Sequence, residues 1–200
     1  MAITINGTAN TITGLAAGGL PDDSVTTADV NFSPGKILQV VACPKTDHVT
    51  LTTPDATWND ITGVDQAGSG SVWCCKITPA AITSKILVLW DISICMDGDS
   101  NVYHGVRIVR DSTAIHQGPA SHASTARATA ESLAGQSKGN QIGGTFLDTP
   151  FSSGSPSEVT YKIQAYWHNH GVSINAGGTT SNDNYDISST SNLTLMEIAG

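Results

Sequence analysis

The chain has 200 residues, and its 9 lysines and arginines against 17 aspartates and glutamates give a formal net charge of −8. Only 13% of the residues are charged and 39% are hydrophobic, so Ser, Thr, Asn and Gly supply most of the polar surface. Long helices and coiled coils need more Glu, Lys, Arg and Leu, and an acidic chain is a poor partner for nucleic acid. No apolar run approaches the roughly 20 residues that span a bilayer. The composition therefore indicates a β-rich protein with a neutral polar surface, no nucleic acid partner and no membrane insertion.

Residues 1–33 form the first predicted unit, an extended N-terminal arm. Two short alternating pieces at 2–5 and 11–13 precede a stretch at 14–22 whose glycines and proline break any long element. Residues 24–30 are compatible with one helical turn or a short strand. Because the arm has too few apolar residues to bury a core, we expect it to dock on, or intertwine with, another chain or the main domain.

Residues 34–200 form the second predicted unit, a β-sandwich domain. Its strongest predicted strand is 85–95, whose first half is apolar on both faces. The run 158–168 alternates and places five residues on one face, namely Val159, Tyr161, Ile163, Ala165 and Trp167. The other predicted strands are 36–43 (ended by Pro44), 49–53, 57–64, 72–78, 102–110, 114–116, 142–147 and 192–198. Such strands between Gly, Pro and Asp corners predict an all-β antiparallel β-sandwich or jelly roll, without a helix longer than a few residues.

Residues 124–133 carry two conflicting signals. Their alanines favour a helix by propensity. However, those alanines alternate with Thr125, Arg127, Thr129 and Glu131, which is the period of two of a strand. We favour an extended strand because propensity is the weaker signal.

The four cysteines are expected to be buried free thiols. The N-terminus has no apolar signal core that would direct the chain to an oxidising compartment. Cys43, Cys75 and Cys95 lie in apolar runs, where cysteine behaves as a small core residue. Adjacent Cys74 and Cys75 point to opposite faces of a strand, so they do not share one zinc ion.

His168 and His170 are the candidate metal ligands of the chain. They are two residues apart, which places both on one face of a strand. At a three-fold axis, three such pairs would offer six imidazoles to a transition metal. The alternative is that both are polar residues at a strand end. The H-N-H letters at 168–170 also occur in nucleases, but that motif needs a hairpin-plus-helix metal site, and DNA binding favours basic surroundings.

Acidic residues do not form a recognisable catalytic or calcium site. Asp97–Asn101 begins like a calcium loop, but Ile108 occupies the twelfth position, where an acidic ligand is needed. We therefore expect a solvated turn there. Nothing in the sequence places the remaining acids together across a cleft, and no G-x-S-x-G elbow occurs; the acids considered were Asp91, Asp97, Asp99 and Glu131. We expect no catalytic residue, no cofactor and no enzymatic activity.

The tryptophans divide into one core residue and two open cases. Trp90 lies in the most apolar strand and is expected in the core. Trp58 and Trp73 lie near turns, where edge packing, subunit contact and ligand binding all remain open.

Short motifs follow one another along nearly the whole chain. They are ITINGT at 3–8, TITGLA at 11–16, GLPD at 19–22, GKILQVV at 35–41, ITP at 77–79, TSKILV at 83–88, RIVRD at 107–111, FLDTP at 146–150 and NLTLMEI at 192–198. In this order they resemble a family of tailed-phage virion structural proteins found in cyanophages and other marine phages.

The resemblance implies a non-enzymatic, trimeric β-sandwich module of a tail fibre or tail tip that mediates host attachment. It implies that residues 1–33 dock on another virion protein, and it brings no catalytic residues. A tail fibre usually carries an anchor and a shaft before its tip, whereas this sequence opens on the arm. The alternative is therefore a capsid decoration (cement) protein that stabilises the phage head.

Three polar loops are the candidates for contact with a host surface glycan. They are Asp97–Asn101, Gly118–Ser124 and Asn175–Asp186, the last rich in Asn, Ser, Thr and Gly. Weak sites repeated on one trimer would gain affinity through effective concentration. The alternative for each loop is a plain solvated connection.

Overall fold

The structure is a computed structural model that describes residues 4–6, 11–13, 35–52, 56–96, 103–119, 127–132, 139–168, 171–176 and 188–200. The chain divides into two compact units, residues 1–36 and residues 37–200. In the first unit, β1 (Thr4–Asn6) and β2 (Thr11–Thr13) pair antiparallel. The docking role of residues 1–33 stays a prediction, and the open assignment of 24–30 lies outside the described residues.

The second unit is built of strands throughout its described part. They are β3 (Ile37–Lys45), β4 (Val49–Leu51), β5 (Trp58–Asp60), β6 (Cys74–Ile77), β7 (Lys85–Met96), β8 (Tyr103–Arg110), β9 (Thr113–Ile115), β10 (Ala130–Ser132), β11 (Gly139–Asp148), β12 (Val159–His168), β13 (Val172–Ile174) and β14 (Ser191–Ile198). No helix occurs among the described residues, so this part of the chain offers no helical membrane span.

These strands form two antiparallel sheets. In the first, the β7 sheet, β7 pairs with β11 along one edge and with both β14 and β13 along the other edge. On their far sides, β14 pairs with β3 and β13 pairs with β4. In the second, the β12 sheet, β12 pairs with β8 on one side and with β6 and β5 on the other. The far edge of β8 pairs with β9 and β10. Each sheet is therefore four strands wide, and several of these strands are interrupted by a loop.

The order of the strands is that of a jelly roll. When β3–β4, β5–β6, β9–β10 and β13–β14 are each taken as one interrupted strand, the second unit has eight strands in its described part. The β7 sheet then contains the first, eighth, third and sixth strands, and the β12 sheet the second, seventh, fourth and fifth. This arrangement of two packed four-stranded sheets is the jelly-roll architecture. The predicted all-β, antiparallel sandwich is confirmed.

The inner faces of the two sheets share one apolar core. Alternate residues of β12 are buried, and they are the five that the sequence placed on one face. From the opposite sheet β7 contributes Ile86, Val88, Trp90, Ile92 and Ile94. All four cysteines are buried free thiols, as predicted.

Charged and polar side chains close one end of the sandwich. Asp148, at the end of β11, accepts hydrogen bonds from Arg110 Nη1 at 2.8 and 2.7 Å and from the Tyr161 hydroxyl at 2.7 Å. Because Arg110 and Tyr161 belong to the β12 sheet, this group joins the two sheets. Burial, followed by the bond to Asp148, raises the pKa of the Tyr161 hydroxyl.

Glu197 fixes the connection between β6 and β7 at the same end. It is buried on β14 and accepts hydrogen bonds from Ser84 Oγ at 2.6 Å, Gln39 Nε2 at 2.6 Å and the Ala80 backbone N–H at 2.7 Å. Burial alone would raise the pKa of this carboxyl, but these three hydrogen bonds outweigh it and the pKa is lowered.

Two strand predictions need correction. Strand β3 does not end at Pro44 but continues through it to Lys45, with Pro44 opposite Asn192. This is possible because β3 pairs only with β14 in its sheet, and a proline that lacks an N–H is tolerated on such an edge. Strand β13, Val172–Ile174, was not predicted.

The ambiguous segment 124–133 is described only in part. Its residues 130–132 form strand β10 on the edge of β8, in agreement with the favoured strand. Residues 127–129 belong to no strand, and the rest lies outside the described residues.

The opposite end of the core contains an unpaired histidine. His104 on β8 is 3% exposed and lies across from Trp167 on β12. Neither ring nitrogen of His104 has a hydrogen-bond partner in the described part of the chain, and the same holds for the Trp167 indole nitrogen. Burial lowers the pKa of His104 to about 4.

We predict that His104 makes the fold sensitive to mild acid. Because its pKa in the folded state is about 4, below the ordinary 6.5, the unfolded chain binds the proton more readily between these values. Stability contributed by the neutral imidazole is therefore complete above pH 6.5 and is lost as the pH falls toward 4, by about 3 kcal/mol at most. Chemical denaturation across this range measures the loss.

His104→Leu should remove most of this pH dependence, whereas the exposed His48→Gln should keep it. The ionisation of Asp65 affects stability over a separate, lower pH range. Hydrogen bonds, of which that from Lys76 is the most important, lower the pKa of Asp65 from 3.8 to about 2. Equal losses of stability in wild type and His104→Leu between pH 6.5 and 4 would contradict the prediction.

Candidate functional site

The outer face of the β7 sheet carries an apolar row that is exposed at its two ends. The register places Val40, Met196, Leu87 and Leu147 side by side across β3, β14, β7 and β11. Val40 is 53% exposed and Leu147 is 50% exposed. Leu38, also exposed, extends the row toward the start of β3. We call these five residues the apolar face.

Polar residues bound the apolar face on the side away from the charged end. The next row along the strands contains Thr194 and Thr145 around Leu89. The row after that contains Asn192 and Asp91, whose carboxylate accepts a hydrogen bond of 2.6 Å from Gln141. A contiguous apolar patch with a polar border is typical of a protein–protein contact surface. The apolar face is therefore the candidate assembly surface.

The sequence contained a signal for this surface. In the first half of β7, Ile86 and Val88 are fully buried and point into the core. Leu87 and Leu89 alternate with them and therefore make the outer face of the strand apolar as well. Met196 gives β14 an apolar residue on its half-exposed side. The alignment of Val40 and Leu147 in one row, with Met196 and Leu87 between them, is set by strand register and was not predicted.

The structure places three tryptophans in the core and one at the surface. Trp90 lies in the core, as predicted, together with Trp167. Trp73 also lies in the core, 1% exposed, and donates from Nε1 to the Cys43 carbonyl at 3.0 Å, so packing explains it. Trp58 alone is half-buried on the outer face of the β12 sheet, beside Tyr166.

The candidate metal ligands are described only in part. His168 is half-buried and lies at the end of β12, on its outward-facing alternation. His170 lies outside the described residues, so the pairing of the two histidines stays a prediction. Within the described ranges, no group of three or more His, Cys, Asp and Glu residues is placed to hold a metal ion.

The candidate loops are also described only in part. Asp97–Asn101 lies outside the described residues, as do 120–124 and 177–186. The first residue of the third loop, Asn175, is buried and structural: its amide nitrogen donates to the carbonyls of Lys45 and Asp47 at 2.8 and 3.0 Å. Gly118 is likewise held, because its N–H donates to the Ala128 carbonyl at 2.9 Å.

The acids considered for catalysis are not brought together where they are described. Asp91 is on the outer face of β7, bound to Gln141. Glu131 lies on β10 of the other sheet, and its side chain is outside the described part. Asp97 and Asp99 also lie outside it. The absence of enzymatic activity stays a prediction.

Comparison with known proteins gives structural neighbours only. No protein-family model matches the chain, and no curated protein matches it. Solved structures of infectious bursal disease virus strains Gx and Gt match with TM-scores of 0.40 and 0.41, at 13% and 12% sequence identity. The matches cover 90% of this chain but 44% and 41% of those chains, so this chain spans less than half their length.

We predict that a charge on the apolar face prevents self-association. Val40→Lys or Leu147→Lys should convert an oligomer into the 20.7 kDa monomer with an unchanged fold. Burying one such side chain contributes about 1.5–3 kcal/mol, and a lysine in its place adds a desolvation cost. Light scattering after size exclusion measures the mass.

Val64→Lys is the matched control, because Val64 is 49% exposed but lies outside the apolar face. It should leave the mass of the assembly unchanged. A wild-type chain that is monomeric at micromolar concentration would refute the assembly role of this face.

Proposed function

We propose that the protein is a non-enzymatic phage virion structural protein whose jelly-roll domains assemble as a homotrimer through the apolar face. The observation that carries the proposal is the outer apolar row of Val40, Met196, Leu87 and Leu147 across four strands, which is exposed at Val40 and Leu147. A row of this kind is typical of a surface that contacts another protein. Closed symmetry among identical chains is the commonest way to supply one.

The sequence motifs of the phage resemblance support the proposal, because several of them meet in the fold. Arg110 of RIVRD binds Asp148 of FLDTP, and Glu197 of NLTLMEI binds Ser84 of TSKILV. The motifs thus include the groups that close one end of the sandwich. Their order along the chain corresponds to contacts that the fold requires.

We infer that the trimer is part of a tail fibre or tail tip and mediates host attachment, with residues 1–33 docking on a neighbouring virion protein. An extended segment can add a strand to an exposed sheet edge of a partner. The alternative is a decoration protein that stabilises the phage head. Both functions use a trimeric jelly roll with an arm, and they differ in where the protein sits on the particle.

Labelling of intact virions distinguishes these two functions. An antibody against residues 37–200, viewed by electron microscopy, should bind at the tail tip in a few copies per particle. Labelling spread over the head would overturn the tail role in favour of decoration. The absence of label from purified, intact particles would refute both functions.

Deletion of residues 1–33 tests the arm separately. The shortened chain should keep its circular dichroism spectrum, because the described core lies within residues 37–200. It should remain a trimer, each chain lighter than the 20.7 kDa full-length chain by the deleted residues, yet fail to enter particles when it replaces the wild-type chain during infection. Normal incorporation of the deletion variant would contradict the docking role.

A further inference from the structure

The outer face of the β12 sheet carries a second ordered group of side chains, which we call the aromatic cluster. It consists of Trp58 and Asp60 on β5, Lys162, Gln164 and Tyr166 on β12, and Arg107 on β8. The register aligns Arg107, Gln164 and Asp60 in one row across the three strands. In the neighbouring row Gly105, Tyr166 and Trp58 are aligned in the same way.

Hydrogen bonds fix the polar row. Arg107 Nε donates to Gln164 Oε1 at 2.7 Å, and Gln164 Nε2 donates to Asp60 Oδ1 at 2.7 Å. Lys162 Nζ binds the other oxygen, Asp60 Oδ2, at 2.8 Å. Gln164 therefore holds the guanidinium of Arg107 in place, while Lys162 already neutralises Asp60.

Arg107 is a positioned cation that makes no ion pair within the described residues, although the charge of nearby Asp60 opposes the lowering of its pKa by burial. In the part of the chain that the structure describes, its hydrogen bond through Nε is its only one, and no carboxylate forms an ion pair with it. Burial lowers its pKa, so the group is partly removed from water. A positive charge that is held and partly desolvated favours an anion at its outer edge, where both Nη atoms can bind one carboxylate.

Aromatic rings lie beside this cation. The guanidinium carbon of Arg107 is 4.6 Å from the centre of the Trp58 ring, and the Tyr166 ring lies 5.3 Å from Trp58 at an interplanar angle of 49°. Within the described residues, neither the Trp58 indole N–H nor the Tyr166 hydroxyl makes a hydrogen bond.

We propose that the aromatic cluster binds a uronic acid residue of an acidic polysaccharide. The sugar carboxylate would pair with the Nη atoms of Arg107, and the sugar ring would contact Trp58 and Tyr166. The indole N–H and the phenol would bind ring hydroxyls.

This inference deepens the proposed role in host attachment and rests on that role only for the biological source of the polysaccharide. It places the glycan on a sheet face rather than on the three polar loops. The open face suits an extended polymer, and repetition of the site on a trimer would multiply weak single contacts.

Calorimetric titration of the full chain with hexagalacturonate tests the proposal, in parallel with a neutral galactose hexamer of the same length. Wild-type protein should bind the acidic hexamer at least tenfold more tightly than the neutral one, and added salt should weaken the binding. Arg107→Gln should reduce the affinity by about tenfold to a hundredfold, the value of a charged hydrogen-bonded contact. Arg107→Lys should recover only part of it, because lysine lacks the planar fork.

Two controls separate a site from general charge and from misfolding. Lys85→Gln removes one positive charge from the other sheet and should leave the affinity unchanged. Trp58→Phe should weaken binding. Lys85→Gln and Trp58→Phe should both keep the wild-type melting temperature within a few degrees. Equal affinity for the two hexamers, or an equal loss in Lys85→Gln and Arg107→Gln, would overturn the proposal.

An acidic peptide of six glutamates is the third ligand, and binding as tight as that of hexagalacturonate would also overturn the choice of a sugar. The labelling of virions and the binding titration test separate hypotheses, so either hypothesis can be refuted without the other. Labelling over the head with intact hexagalacturonate binding would refute the tail role and retain the sugar site, whereas tail-tip labelling without binding would refute the sugar site alone.

Discussion

Burial of the inner faces of two sheets in one apolar core determines the direction of the other side chains along the strands. Because residues on a strand alternate between its faces, fixing Val159 and Trp167 in the core also fixes Gln164 and Tyr166 on the outside. A slip of one residue in register would exchange the two sets and expose the core. The two outer faces are therefore defined as firmly as the core, although they contribute little to it.

The groups that close the charged end explain how so weakly charged a chain holds its two sheets in register. Asp148 brings β11 to Arg110 on β8 and to Tyr161 on β12, and both of its oxygens are bonded. Glu197 is satisfied in the same way by three donors. A fully bonded polar network in a region of low dielectric is specific, since any other pairing leaves a buried charge unsatisfied. His104 shows the contrast at the opposite end, where a buried polar side chain lacks a partner in the described part of the chain.

Local patterns in the sequence were sufficient for the fold class and for the direction of the strongest strands. The alternation around Ile163 and the continuous apolar run around Val88 predicted an inner face and a central strand, and both occur. Patterns of this kind did not reveal that several strands are interrupted. When a loop divides a strand into two pieces that pair with the same neighbour, the sequence shows only two separate short strands. The alignment of Val40 and Leu147 in one row, and the contact of Arg107 with Trp58, depend on register between strands distant in sequence. Single-strand periodicity carries no information about that register.

The different chemistry of the two outer faces decides which of them is suited to an interface between copies. Covering the aromatic cluster with protein would remove Arg107, Asp60 and Lys162 from water, and the cost of desolvating three charges is recovered only by new, well-formed partners. Covering Val40 and Leu147 removes apolar surface that water already disfavours. In the proposed assembly, self-association through the β7 sheet would leave the β12 sheet facing outward, with Trp58 and Arg107 on the solvent side of every copy. The proposed assembly and the proposed ligand binding would then use opposite faces of one sandwich, and neither would obstruct the other.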